Sequence, residues 1–383
     1  MANLNAWQKI TRVLSGKPFG DGADGAYSSA TIPTMKYKTC SGTATSTTLT
    51  ADTDASPFEV GDILLLHQTR GTGVGQWEIN LVLSVGSDQY TLQEALQYTY
   101  TDSGASQAQA VVIPRYTDMT VQSGTWTLAA WGGDTGGILP LAANGTTTVT
   151  GTMTAKGKGY VKGVGGQALG LDAYCGEGTS GASARQNTAN GSGGGGGNNG
   201  GGGGGVGSGG GGGHSASGGS GVTGGTGGGT SGSADLITMT FGGAGGAGGG
   251  GTGGAGKNGG DGGGIIALFA KNIVVTGSAL GGGNDGVNGV KLNGDYLDPG
   301  GGGGGGSFLL QCQTATLGAT LVTALKGNKG TYPARDAGDG AAGRIAVHHS
   351  GAVTGTTSPT FTDVEDSSLV EAAAGGAFLF NMV

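Results

Sequence analysis

The apolar positions along this chain change their period as it proceeds, and each period predicts a different kind of element. Between residues 3 and 14, Leu4, Trp7, Ile10 and Val13 or Leu14 recur at three- to four-residue spacing, which predicts an amphipathic helix. A helix of about twelve residues is marginal alone in water. It is therefore expected to dock, on its own body or on a neighbouring subunit, through Leu4, Trp7, Ile10 and Leu14. Turn chemistry follows in Lys17-Pro18-Phe19-Gly20-Asp21-Gly22-Ala23-Asp24-Gly25. Residues 31 to 118 then carry a short apolar run at Ile63-Leu64-Leu65-Leu66 and an alternating run from Trp77 to Leu83. Tyr90-Thr91-Leu92 and Val111-Val112-Ile113 complete the set. Such pieces, with Gly, Asp and Ser between them, predict a compact antiparallel barrel or sandwich.

From residue 119 a repeat begins. Gly136-Gly137-Ile138-Leu139-Pro140-Leu141 leads, past an expected turn at Asn144-Gly145, to Val149-Thr150-Gly151. Gly263-Gly264-Ile265-Ile266-Ala267-Leu268 leads likewise to Val275-Thr276-Gly277. Ile and Val stand eleven residues apart in the first copy and ten in the second. Two looser copies run from Gly306-Ser307-Phe308 to Leu325-Lys326-Gly327 and from Gly343-Arg344-Ile345 to Val353-Thr354-Gly355. One copy cannot bury an apolar face alone, whereas stacked copies make a continuous core. The expected class is all-β: a small N-terminal barrel or sandwich, then a β-solenoid whose corner glycines adopt positive φ.

The expected organisation is a docking helix in 1–20, a small β domain in 21–118 and first rungs in 119–165. A glycine-rich segment in 166–264, further rungs with insertions in 265–355 and a C-terminal segment in 356–383 follow.

Composition changes the picture of the insertions. Glycine supplies 94 of 383 residues, against roughly 7% in ordinary proteins. Charged residues are only 11%, net charge is −7, and apolar residues still make up 35%. Disorder usually pairs low hydrophobicity with high net charge, so the flexible-linker alternative suits only the central third. Ordering a residue's backbone costs roughly 1–2 kcal/mol, and glycine loses most. Without side chains, that cost is offset by backbone hydrogen bonds and close packing, as in three-fold helices of the polyproline II kind laid side by side. A packed array of such ordered polyglycine segments is expected, and the absence of a G-x-y repeat rich in Pro excludes collagen.

Candidate chemistry is sparse. G-x-G-x-x-G recurs through composition alone, and the P-loop-like stretch ending Gly256-Lys257-Asn258 lacks the Ser or Thr that would hold Mg²⁺. Asp21 and Asp24 fall short of an EF-hand ligand set, and Asp261, Asp285, Asp295 and Asp298 lack the spacing of calcium-binding solenoids. His348 and His349 are adjacent, so a strand points them to opposite faces, and His67 and His214 stand alone. No carboxylate pair suggests glycoside hydrolysis. No catalytic residue, cofactor or metal is assigned, and the expectation is a protein that is not an enzyme. Cys40, Cys175 and Cys312 form no disulfide framework. Sparse positive charge gives no nucleic-acid footprint, and no apolar run is long enough for a membrane-spanning helix. The start of the chain lacks a charged head before an apolar run, which suits release by lysis or non-classical export.

Aromatic residues in glycine context are more informative. Tyr160, Tyr174, Tyr296 and Tyr332 sit where loops are expected to leave the rungs. Aromatics on loops over a rigid body commonly contact carbohydrate or protein, though they equally well cover a flank. Tyr174 and Tyr296, in the loops 172–190 and 284–298, are the candidate receptor contacts.

Phe19-Gly20-Asp21-Gly22-Ala23-Asp24-Gly25 resembles the opening of many tailed-phage fibre and virion proteins. The stretch from Phe58 to Gln68 is similar to a domain that precedes glycine-rich solenoids in phage and bacterial surface proteins, and Gly262 to Leu268 is similar to those solenoids. The resemblance implies a virion or extracellular fibre, tip adhesin or surface coat, with no catalytic residues to carry over. The expected role is a homo-oligomeric fibre or adhesin bound to other virion proteins and to a host glycan or outer-membrane protein. Alternatives are a capsid decoration, sheath or filament subunit, and a polysaccharide-active solenoid enzyme.

Overall fold

A computed structural model describes residues 17–51, 58–166, 171–197, 207–222, 224–251 and 254–370. The expected docking residues Leu4, Trp7, Ile10 and Leu14 lie outside them. The described chain is all-β: twenty strands, one 3₁₀ turn at Ser367–Leu369, and no α-helix among the described residues.

Six strands form an antiparallel sheet in the order Tyr37–Thr39, Gln107–Val112, Ile63–Arg70, Trp77–Val85, Gln89–Leu92, Thr48–Thr50. The run at Ile63-Leu66 is continuous because both of its faces are covered. Leu64 and Leu66 pack with Leu49, Phe58 and Tyr90, while Ile63 and Leu65 turn the other way, toward the second sheet.

The second sheet is parallel and twelve-stranded. Its spine is Ile138–Val149, Ile265–Val275, Ser307–Thr323 and Arg344–His349, stacked in register. Leu139, Ile266, Phe308 and Ile345 form one row, and Leu141, Leu268, Leu310 and Val347 the next. These rows bury against Val121, Trp126, Met153 and Val322, which the chain brings over after its corners. The alternate rows, Ile138 with Ile265 and Ala267 with Leu309 among them, bury against the antiparallel sheet. Two covered faces explain why these strands read as unbroken apolar runs. Tyr27–Ser29, on the far side of the expected boundary, also belongs here through its pairing with Met119–Val121. Thr362–Glu365 pairs with Arg344–His349 and carries the sheet beyond residue 355.

Three local expectations need correction. Asn144-Gly145 is not a turn. The strand runs through it with a register shift between Ala143 and Thr146, which absorbs the extra residue of the first copy. Asp118 holds this bulge by accepting the Thr146 N–H at 2.7 Å. The counterpart of Val-Thr-Gly in the third copy is not Leu325-Lys326-Gly327. Val274 pairs with Thr316, so the corner falls at Gly318. Positive φ is not the general reason for corner glycine either. Gly151 and Gly277 lack it, and they are glycine because an added Cβ would lie 2.0 Å from a neighbouring carbonyl oxygen.

The glycine-rich segments lie side by side with a hydrogen-bond period of three. Gly242, Gly245 and Gly248 donate to Gly263, Gly260 and Lys257. Gly243, Gly246 and Gly249 donate to Gly213, Gly210 and Gly207, and Ala244 and Ala247 to Glu177 and Tyr174. One segment thus addresses three neighbours in rotation. Residues 300–306 do the same, toward 281–287, 243–246 and 338–341. Most of these glycines are buried, and their amides find partners at about 2.7–3.0 Å.

Candidate binding surface

The two candidate contacts fall far apart in the chain's topology and share one arrangement: each ring already lies under a cation from the same protein. Tyr174 sits next to the carbonyl-rich edge that Ala247 addresses, and the Arg185 guanidinium lies 4.7 Å above its ring centroid. An antiparallel bridge between Tyr174 and Arg185 sets that geometry. Tyr296 lies on a two-stranded hairpin, Val290–Leu292 with Asp295–Leu297, that pairs with no other strand. Arg335 stands 4.2 Å over its ring, Lys291 Nζ 5.1 Å, and the Tyr332 ring packs edge-on at 5.7 Å. Arg335 Nη1 also donates to both oxygens of buried Asp298, at 3.2 and 3.3 Å. Burial raises the Asp298 carboxyl pKa even so, because desolvation outweighs the attraction of Arg335. The rings are half-buried, while Val287, Val290 and Leu292 around the hairpin are exposed. The sequence marked Tyr296 as an aromatic in a loop at 284–298, and the hairpin and the guanidinium over its ring emerge only in the fold.

Tyr160 is not a surface aromatic. It is fully buried, its hydroxyl donates to the Thr69 carbonyl, and burial holds its pKa well above the usual phenol value. Beside it lies a buried charge pair that the sequence did not announce. Arg70, from the antiparallel sheet, meets Glu177, from the glycine-rich region. Glu177 also accepts from Trp131 Nε1 at 3.0 Å and from the Val161 amide at 3.0 Å. A single Glu surrounded by Gly and Thr was the only signal available.

The acidic and histidine residues are occupied structurally. Asp21 pairs with Arg115 at 2.9 Å, and Asp24 accepts the Arg115 amide at 2.6 Å. Asp261 holds Lys162 at 3.1 Å, and Asp285 accepts the Asn328 amide at 2.7 Å. Asp295 is buried. His67 Nε2 donates to the Met239 carbonyl at 2.7 Å, and burial lowers its pKa to about 4. His214 falls to about 3, through burial and then the charge of Arg344. His348 and His349 do point apart, one to the Asp235 carbonyl at 2.8 Å and the other to Asp363 at 2.5 Å. Among the described residues no group of three or more His, Cys, Asp or Glu could hold a metal ion. No described helix is long and apolar enough to cross a membrane.

Phe19 explains the Phe-Gly-Asp-Gly opening. Its ring is fully buried among Ile63, Ile79 and Ile113 of the antiparallel sheet and Ala142 and Phe269 of the parallel one. Beside this clip, a cleft of about 500 Å³ opens between the two sheets, with Tyr27, Tyr116 and Arg115 in its wall.

No family model matches the chain, and no curated protein matches it. Among solved structures it is similar to the Gp54 tailspike of Acinetobacter baumannii bacteriophage AP22, solved in complex with A. baumannii capsular saccharide. Identity is 11%, the TM-score is 0.20, and the match covers 87% of this chain. The chain spans 56% of that tailspike.

Proposed function

We propose that this protein is a structural virion fibre or adhesin, a rigid body that attaches to a phage particle and presents loops to a bacterial surface. In this reading the stacked parallel strands are a β-solenoid, and the glycine segments are a polyglycine II lattice. One observation supports it: the hydrogen bonds address three neighbours in rotation, residue by residue, as they would from a three-fold helix in an array. A body built this way is stiff, with little charge and no flexible linker in the described lattice, as a fibre requires. The sequence resemblance to phage fibre proteins supports the same assignment. Residues 2–15 attach the body to the particle, and the protein works as a homo-oligomer on a virion or outside cells.

We place it with binding proteins rather than enzymes, since the acids and histidines singled out above are engaged in structural bonds. Tyr174 and Tyr296 are proposed as receptor-facing, each with its cation as part of the contact. The reading is tested by imaging the purified protein and by deleting residues 2–15. Discrete bodies that adsorb to bacteria, and a truncated chain that no longer joins its particle, are expected. A self-assembling filament would sink the adhesin assignment, and release of glycan fragments would replace it with an enzyme.

A further inference from the structure

We infer that the cleft between the two sheets is a binding site for an uncharged pyranose unit of a surface glycan. The inference rests on the surface-binding role proposed above and gives that role a ligand class. Ligand sites favour clefts of several hundred Å³ at the junction of two structural units, with apolar walls and a few placed polar groups. This cleft has about 500 Å³ and lies where strands of both sheets meet. Its apolar wall is the half-buried Tyr27 ring with Pro114, backed by buried Pro33 and by the buried Tyr116 ring stacked on Tyr27 at a centroid distance of 5.0 Å. Flat apolar surfaces of this kind suit the C–H face of a sugar ring.

The charged groups select against a charged ligand. Lys36 is paired with Glu59 at 2.8 Å. Arg115 is paired with Asp21 at 2.9 Å and donates to the Gly61 carbonyl at 3.1 Å. Both cations of the wall are thus already neutralised. The two carboxylates are differently placed. Asp24 Oδ2 accepts the Arg115 amide at 2.6 Å, and Asp62 Oδ2 accepts the Glu59 amide at 2.8 Å. The Oδ1 atom of each has no protein donor among the described residues. A carboxylate offers about four lone-pair positions, so the cleft has acceptors to spare beside the N–H donors of Lys36 and Arg115, a mixture that suits hydroxyl groups. Its complement is a ligand rich in hydroxyl donors that carries no negative charge. A uronate would meet Asp24 and Asp62 with a like charge.

The test is calorimetric titration of the full chain with maltotriose, mannotriose, N-acetylchitotriose and, as the charged probe, trigalacturonate. At least one neutral trisaccharide binds, and trigalacturonate does not. Thr34→Trp, at an exposed position in the cleft wall, abolishes binding with an unchanged melting midpoint. Asp24→Asn with Asp62→Asn weakens binding at least about tenfold, as the loss of charged acceptors predicts. Failure of all three neutral probes, preference for trigalacturonate, or binding that survives Thr34→Trp would overturn the inference. Adsorption to bacteria separates the two ideas. If none of the neutral trisaccharides binds but the protein adsorbs to cells, the cleft assignment fails and the adhesin stands. If the parent binds a trisaccharide but no cells, the adhesin fails and the cleft stands.

Discussion

The stacked strands and the glycine segments are both buried, but they are held together by opposite means. In the strands, a single row contains Leu139, Ile266, Phe308 and Ile345, side chains of three shapes and two sizes filling equivalent places. Such a core draws on apolar area, about 25 cal/mol per Å², and tolerates exchange while total volume is kept. In the glycine segments nothing is available to exchange. Each residue contributes a backbone hydrogen bond with a net value of about 1 kcal/mol, against about 1–2 kcal/mol for ordering it. Those terms nearly cancel, so the lattice depends on its flanks. Trp77 Nε1 donates to the Leu236 carbonyl at 3.0 Å, and Arg344 Nε to the Ser231 carbonyl at 3.0 Å, tying the segment to both sheets. One region is specified by what its residues carry, the other by what they lack.

The largest expected effect comes from adding one methyl group to the lattice. At Gly212 a Cβ would stand 1.8 Å from the Gly243 oxygen and 2.4 Å from its carbon, both backbone atoms with no rotamer to change. Gly212→Ala is expected to cost more than about 3 kcal/mol, at or above the usual upper end for overpacking. Chemical denaturation of the two proteins measures it. A loss below about 1 kcal/mol would mean that the segments slide freely past one another.

This contrast also governs what the sequence could reveal. Four of the six antiparallel strands were legible, as the apolar run at Ile63-Leu66, the alternating run from Trp77 to Leu83 and the pieces at Tyr90–Leu92 and Val111–Ile113. Tyr37–Thr39 and Thr48–Thr50 carry too few apolar positions to show. The starts of the stacked copies were legible because Ile138, Ile265, Ser307 and Arg344 occupy one register. The corner at Gly318 was missed although it is the only glycine between Gly306 and Gly327, because Thr316-Leu317-Gly318 departs from the Val-Thr-Gly pattern of the first two copies. Within the glycine segments, order was inferable from energetics, but the choice of neighbours was not. Side-chain identity encodes partners, and glycine has none. The candidate site shows the same limit. Tyr296 was visible as an aromatic in a loop, whereas Arg335 over its ring and the cleft beside Phe19 depend on contacts between distant segments.

The junction between the two regions is the next place to press. Glu177 is 3% exposed and is held by Arg70 and Trp131. Glu177→Leu leaves the Arg70 charge buried without its partner, and about 3–5 kcal/mol should be lost. The double variant with Arg70→Met removes both charges and should recover much of it. If the double variant is as unstable as the sum of the singles, the pair is not what joins the sheet to the lattice.

Acid acts on the same junction from a different side. His67 and His214 are kept neutral by burial, with pKa values lowered to about 4 and about 3. Unfolded histidines titrate near 6.5, so below that pH the unfolded chain binds protons that the folded one refuses. Stability therefore falls as pH drops, by about 1.4 kcal/mol per unit for each histidine, until the folded protein itself titrates. Thermal melts between pH 7 and pH 5 should show this slope. His67→Gln should remove one histidine's share of it, with His214 and His348, also lowered by burial, carrying the rest, and a variant with the parental slope would place the titration elsewhere.

The smallest effect is the sharpest control for the comparison. Gly86 lies in the turn between Trp77–Val85 and Gln89–Leu92, outside the lattice, and its φ is not in the left-handed region. A Cβ there would meet only the Gln89 carbonyl oxygen, at 3.6 Å, which is ordinary contact. Its amide bond to that oxygen, at 2.8 Å, would be undisturbed. Gly86→Ala removes conformational freedom from the unfolded chain without straining the folded one, so stability should rise by about 0.4–1 kcal/mol. The same substitution thus carries opposite signs at Gly86 and Gly212. If Gly86→Ala destabilises as strongly as Gly212→Ala, glycine loss is costly everywhere in this chain. The special intolerance ascribed to the lattice would then have no basis.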